Sequence, residues 1–208
     1  MSTPNRRSGA MPALAFFPLI AVALAACATP KVATSGFLTS YDALQASDET
    51  GAVKVQSSSA QVLSGYSAVI IDAPVMTETR LSPAEATAIT AALAEALNTE
   101  MARDRTIATD AAPATLRVRY AIVAVETSNV ALNALTSTVI GPLDRGSLAL
   151  EAEVVDSVSG ERLAAMTWAR GAKATNVLGA YAPTGNARAL APDFARRVAK
   201  LVSPDMPG

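Results

Sequence analysis

"LSPAEATAITAALAEALNTEMA", residues 81–102, is the stretch on which the fold turns. Ser82 is a helix N-cap residue, Pro83 suits the first helical turn, and Glu85 stands three positions after the serine, completing a capping box. Ala86, Ile89, Leu93, Leu97 and Met101 recur at three- and four-residue intervals and form one apolar stripe. The spacing predicts a helix from about Pro83 to Arg103 with one side to bury, and therefore a sheet to bury it against.

The flanking sequence supplies that sheet. Upstream, "YSAVIIDAPV" (66–75) carries a run of β-branched residues, Val69 to Ile71, ended by Pro74, which predicts a strand buried on both faces. Downstream, a short strand is expected near Thr106–Thr109. "TLRVRYAIVAVET" (115–127) then alternates, with Leu116, Val118, Tyr120 and Ile122 on one face and Thr115, Arg117 and Arg119 on the other. "SLALEAEVVD" (147–156) does the same, with Leu148, Leu150, Ala152 and Val154 inward and Glu151 and Glu153 expected toward solvent. Paired, these strands would set arginines beside glutamates, worth about 0.2–1 kcal/mol per pair. A carboxylate–arginine catalytic site is the sharper reading, but strand alternation alone accounts for the pattern. "DSVSGERL" (156–163) has the Ser-Gly of a hairpin turn, with Gly160 free to take a positive φ, and "RLAAMTWARGAK" (162–173) is the returning strand. A last helix, "PDFARRVAKLV" (192–202), presents Phe194, Val198, Leu201 and Val202 on one side, while Arg196, Arg197 and Lys200 suit the dipole at its end. The order β-α-β-β-β-β-α predicts a single α+β domain, a mainly antiparallel sheet with helices packed on one face.

The N-terminal part reads differently. Arg6 and Arg7 precede the apolar stretch "AMPALAFFPLIAVALAA" (10–26), and small residues lead into Cys27, the one cysteine of the chain. That layout is a secretory signal peptide. The run falls short of the ~20 residues a transmembrane helix needs, and Pro12 and Pro18 interrupt it. "LAAC" (24–27) resembles the lipobox of bacterial lipoproteins. The resemblance implies cleavage between Ala26 and Cys27, a diacylglyceryl thioether on Cys27 and acylation of the freed amine. Ala28, which is not aspartate, favours the outer membrane over inner-membrane retention, with the protein facing the periplasm. The expected organisation is a lipoprotein signal peptide over 1–26, a lipidated N-terminus and tether over 27–64, and the α+β domain over 65–208. The segment 28–64 is rich in Ser, Thr, Ala and Gln. Within it, "SGFLTSYDAL" (35–44) spaces Phe37, Leu38, Tyr41 and Leu44 like one face of a short helix or a docking strip, expected to pack the arm onto the domain, with a partner motif as the alternative.

Composition narrows the function classes. The chain has 17 basic and 18 acidic residues and no histidine. The mature part, without Arg6 and Arg7, has 15 basic against 18 acidic. No Lys/Arg block marks a nucleic-acid footprint. The missing histidine removes the commonest general base near neutral pH and excludes a Ser-His-Asp arrangement. Lys31, Lys54, Lys173 and Lys200 stand in no S-x-x-K motif, and no phosphate loop, nucleophile elbow or metal-spacing cluster occurs. The expectation is a protein without catalytic, cofactor or metal residues.

"SGFL" at 35–38, "LSPAEA" at 81–86, "SNVALNAL" at 128–135 and "VVDSVSGERLAA" at 154–165 together resemble a bacterial lipoprotein family known as domain of unknown function 3313. The resemblance implies a lipid-anchored envelope domain and carries over no catalytic residue. A long connection, "TSNVALNALTSTVIGPLDRG" (127–146), joins two sheet strands and holds Val130, Leu132, Leu135, Val139 and Ile140. Such apolar residues would either form a surface for a partner, a second copy or the membrane, or fold over an open edge as core. The sequence therefore points to a lipid-anchored binding or accessory module that meets an envelope protein or forms a homo-oligomer. The alternative is an envelope hydrolase or small-ligand carrier with a hidden pocket.

Overall fold

The computed structural model describes residues 34–78, 80–127, 146–171 and 182–203. Among them, the strands are β1 (Gln45–Ala46), β2 (Val53–Ser57), β3 (Ala68–Ile71), β4 (Val75–Met76), β5 (Thr106–Ile107), β6 (Thr115–Glu126), β7 (Ser147–Asp156) and β8 (Arg162–Gly171). The helices are α1 (Ala60–Leu63), α2 (Pro83–Met101), α3 (Gly185–Ala189) and α4 (Ala191–Leu201). One eight-stranded sheet runs in the order β1-β2-β8-β7-β6-β3-β5, with β4 also pairing β6. The long central pairs β2–β8, β8–β7 and β7–β6 are antiparallel, and the short β3, β4 and β5 add parallel pairs at one side. This is a single α+β domain with a mainly antiparallel sheet.

The local code works as written at α2. The Ser82 side chain accepts from the Glu85 N–H, and the Glu85 carboxylate accepts from the Ser82 N–H, with Pro83 in the first turn. Ile89, Leu93, Leu97 and Met101 are buried, each worth about 1.5–3 kcal/mol of transfer. They join one core cluster with Phe194, Val198 and Leu201 of α4 and the inner face of the sheet. That face is made of rows such as Tyr120, Ala152, Met166 and Val55 across β6, β7, β8 and β2. Phe194 packs against both Trp168 and Tyr120, at centroid distances of 5.7 and 6.2 Å. Pro74 separates β3 from β4, and both segments then lie along the same edge of β6. Gly160 sits at φ +74° in the β7–β8 hairpin, where the Asp156 side chain accepts from Val158 and Ser159.

Two expectations are corrected. The folded body does not begin at residue 65: β2, within the segment assigned to the tether, pairs with β8 over five residues, and β1 pairs with β2. "VKVQS" is too short and too polar to announce a strand, but β8 has an unpaired edge that needs a partner. The second correction concerns Glu151 and Glu153. Both are buried, at 1% and 2% exposure, because the sheet face opposite the helices is covered rather than wet.

Candidate functional site

What covers that outer face is the arm "SGFLTSYD" (35–42), and its seat is built around Glu151. The Ser35 N–H and Oγ–H donate to the two carboxylate oxygens at 2.9 and 2.8 Å, and the Tyr41 hydroxyl donates to Oε2 at 2.8 Å. The same hydroxyl accepts from the Gly36 N–H at 2.9 Å, so the arm folds back on its own anchor. Burial pushes the Tyr41 phenol above its usual pKa, and the hydrogen bond to Glu151 adds to the shift. Leu38 is 3% exposed and lies outside the main core cluster, which makes it the apolar plug of the arm. Arg162 donates to the Ser40 carbonyl at 2.8 Å and fixes the far end.

The remaining charges of this face are settled by strand register. Arg119 stands opposite Glu153 and pairs with it at 2.8 Å, the cross-strand contact expected from alternation. Glu151 stands opposite Ala121 and Thr167, with no arginine beside it in register, so its partners come from more than a hundred residues upstream. The face is a clamp for the arm, and strand register accounts for the Arg119–Glu153 pair on it. Gln56 Oε1 and Thr167 Oγ1 are buried there without a hydrogen-bond partner among the described residues.

One end of the sheet is a second focus. Glu126 pairs with Ser147, and Ser147 with Gly171, so the ends of β6 and β8 flank the start of β7. At this end Glu78 accepts from Arg80 Nε and Nη2 at 3.0 and 2.8 Å. Those bonds, with the Arg80 and Val125 N–H groups, outweigh burial and hold the Glu78 carboxyl at about 2. Nearby, a cleft of about 610 Å³ opens between α4 and the end of β8, lined by Arg170, Arg196, Arg197, Lys200 and Asp193 over a floor that includes Trp168. Arg170 pairs with Asp48 at 2.8 Å. Burial pushes the Asp48 carboxyl up, but the Val53 N–H and Arg170 more than offset it and leave it below the ordinary value.

Of the sequence-predicted site residues, Ala26 and Cys27 lie outside the described residues, as do Val130, Leu132, Leu135, Val139 and Ile140. Among the described residues no helix is long and apolar enough to cross a membrane, and no three His, Cys, Asp or Glu side chains gather as a metal site. Sequence reading missed the Glu151 seat. Its one visible signal was the Ser35-to-Tyr41 strip, which marked the arm but not its partner. The cleft went unread as well, since its residues come from two separate elements.

The family model described as "Protein of unknown function (DUF3313)" matches residues 33–198. No curated protein matches the chain. Similar solved structures include a PelC dodecamer from Paraburkholderia phytofirmans, 14% identical, covering 73% of this chain and 94% of that one with a TM-score of 0.44. A candidate lipoprotein from Caulobacter crescentus is 16% identical, with coverages of 67% and 91% and a TM-score of 0.33. A DUF4136 family protein from Bacteroides thetaiotaomicron is 10% identical, with coverages of 79% and 100% and a TM-score of 0.39.

Proposed function

The chain belongs to the DUF3313 family of proteins of unknown function, and from that premise we propose that it is a lipid-anchored envelope protein, held at Cys27 on the periplasmic face of the outer membrane and acting as a non-catalytic binding or accessory module. The observation that carries this reading is the clamped arm. Ser35 is fixed on Glu151, and Cys27 lies only eight residues before it. Eight residues span at most about 29 Å when fully extended. A diacylglyceryl group at Cys27, with the amine acylated, gives two or three chains at about 0.8 kcal/mol per buried CH₂. A body tied this closely works at the bilayer surface rather than roaming the compartment. The leader with Arg6 and Arg7, "LAAC", and the absence of histidine from the chain all support the reading.

The apolar connection 127–146 is the proposed partner surface, with Val130, Leu132, Leu135, Val139 and Ile140 as its contact residues. It departs from and returns to the sheet end at Glu126 and Ser147. The test has two arms. Cys27→Ser moves the protein out of the outer-membrane fraction; its retention there contradicts the anchor. Cross-linking in intact envelopes returns one reproducible protein partner that is lost in Leu132→Glu/Leu135→Glu, and recovery of bulk lipid alone contradicts the module. Light scattering on the Cys27→Ser protein identifies a homo-oligomer if the partner is a second copy.

A further inference from the structure

We infer that the cleft between α4 and the end of β8 is a binding site for a phosphate-bearing anion. Four of the 17 basic residues of the chain, Arg170, Arg196, Arg197 and Lys200, line this one cleft, with Asp193 as the single acidic residue among the described lining residues. The chain as a whole carries a net charge of −1, so the basic residues here are segregated rather than sampled. Two of the four are held by carboxylates: Arg170 by Asp48 at 2.8 Å, and Arg196 by Asp193. Arg197 and Lys200 make no ion pair among the described residues.

The helix dipole and the two ion pairs account for only part of this arrangement. The dipole of α4 favours cations near its end, but Arg170 belongs to β8 and owes nothing to the helix. Arg196 and Lys200 stand four apart on α4, a like-charge spacing that costs a helix a few tenths of a kcal/mol. The cleft volume of about 610 Å³ falls within the range of small-ligand sites. Its floor is apolar at Trp168, whose ring is fixed edge-on against Phe194 at 5.7 Å. Arg197 and Lys200, beside two guanidinium groups already paired with carboxylates, leave several N–H donors facing one opening, and a phosphate offers several acceptor oxygens to such a set. The same charges repel metal cations.

Trp168 is the only tryptophan of the chain and forms part of the cleft, so its emission is a built-in reporter. The full chain in non-ionic detergent is titrated with inorganic phosphate, glycerol 3-phosphate and a short-chain phosphatidylglycerol. The expected result is a saturable change in Trp168 emission, with affinity lowered about tenfold or more in Arg197→Gln/Lys200→Gln and unchanged in Lys54→Gln on the opposite sheet face. A midpoint far lower for the phosphatidylglycerol identifies a lipid headgroup as the source, and equal midpoints for all three identify a free phosphate compound. No saturable change with any phosphate probe overturns the inference, as does an unchanged midpoint in the double variant, or saturation by a glutamate hexapeptide alone. Should the double variant fail to fold, Lys200→Gln and a rise in ionic strength from 0.05 to 0.5 M serve instead, each expected to weaken binding by the wild-type phosphate probe. The readout is independent of the anchor at Cys27.

Discussion

Replacing Glu151 with glutamine isolates the clamp on which the short leash depends. The carboxylate accepts three hydrogen bonds, two from Ser35 and one from Tyr41, at 2.8–2.9 Å. A bond to a charged acceptor contributes about 1.5–3 kcal/mol and one to a neutral acceptor about 0.5–1.5. Glu151→Gln therefore removes about 1 kcal/mol from each. A partial offset comes from the hydroxyls, which can turn to accept from the new amide. The net loss is about 2–3 kcal/mol of arm docking, an increase of about 30- to 150-fold in the open population. Global stability falls by less, because the variant no longer buries a charge beside the equally buried Glu153. Amide hydrogen exchange at Ser35, Gly36 and Leu38 reads the open population directly, and native-state chymotrypsin cleavage at Phe37 and Tyr41 reads it independently. Exchange and cleavage rates equal to wild type would mean that Leu38 and β1 hold the arm without the carboxylate, contrary to this expectation.

Other expectations follow from the same structure. Glu78 has its folded-state pKa lowered from 4.5 to about 2, so its pairing with Arg80 contributes stability above pH 4.5 and loses it as pH falls toward 2. The denaturation midpoint of Glu78→Gln should fall less steeply than wild type across that window, and parallel curves would contradict the assignment. Ser82→Ala removes the N-cap of α2 and should cost about 1 kcal/mol in urea unfolding; no change would mean that Glu85 alone suffices. Gly160→Ala meets open space but must adopt φ +74°, so a loss of about 1 kcal/mol in the same assay is expected from conformation alone.

How far the sequence could be read depended on the range of each interaction. The capping box, the α2 stripe and the alternation of β6 and β7 are encoded within a dozen residues, and all appear where their spacing placed them. Alternation assigns Glu151 and Glu153 to one face of β7 but says nothing about whether that face meets water. That depends on an arm 110 or more positions away, and no local pattern in β7 refers to it. β2 was hidden for a related reason. Its inward residues are only Val53 and Val55, too few to stand out as a strand pattern, and pairing with β8 completes its definition. The cleft was illegible because Arg170 and Lys200 are brought together by the packing of α4 on β8, and no motif of fixed spacing links them.

In the proposed arrangement a clamped body hangs from a lipidated cysteine a few residues away. Mass spectrometry of the N-terminal peptide from the native protein in envelopes decides whether it does. The expected peptide begins at Cys27 and carries a diacylglyceryl thioether with an acylated amine. A Cys27 thiol without lipid, or a peptide that still includes residues 1–26, would contradict it.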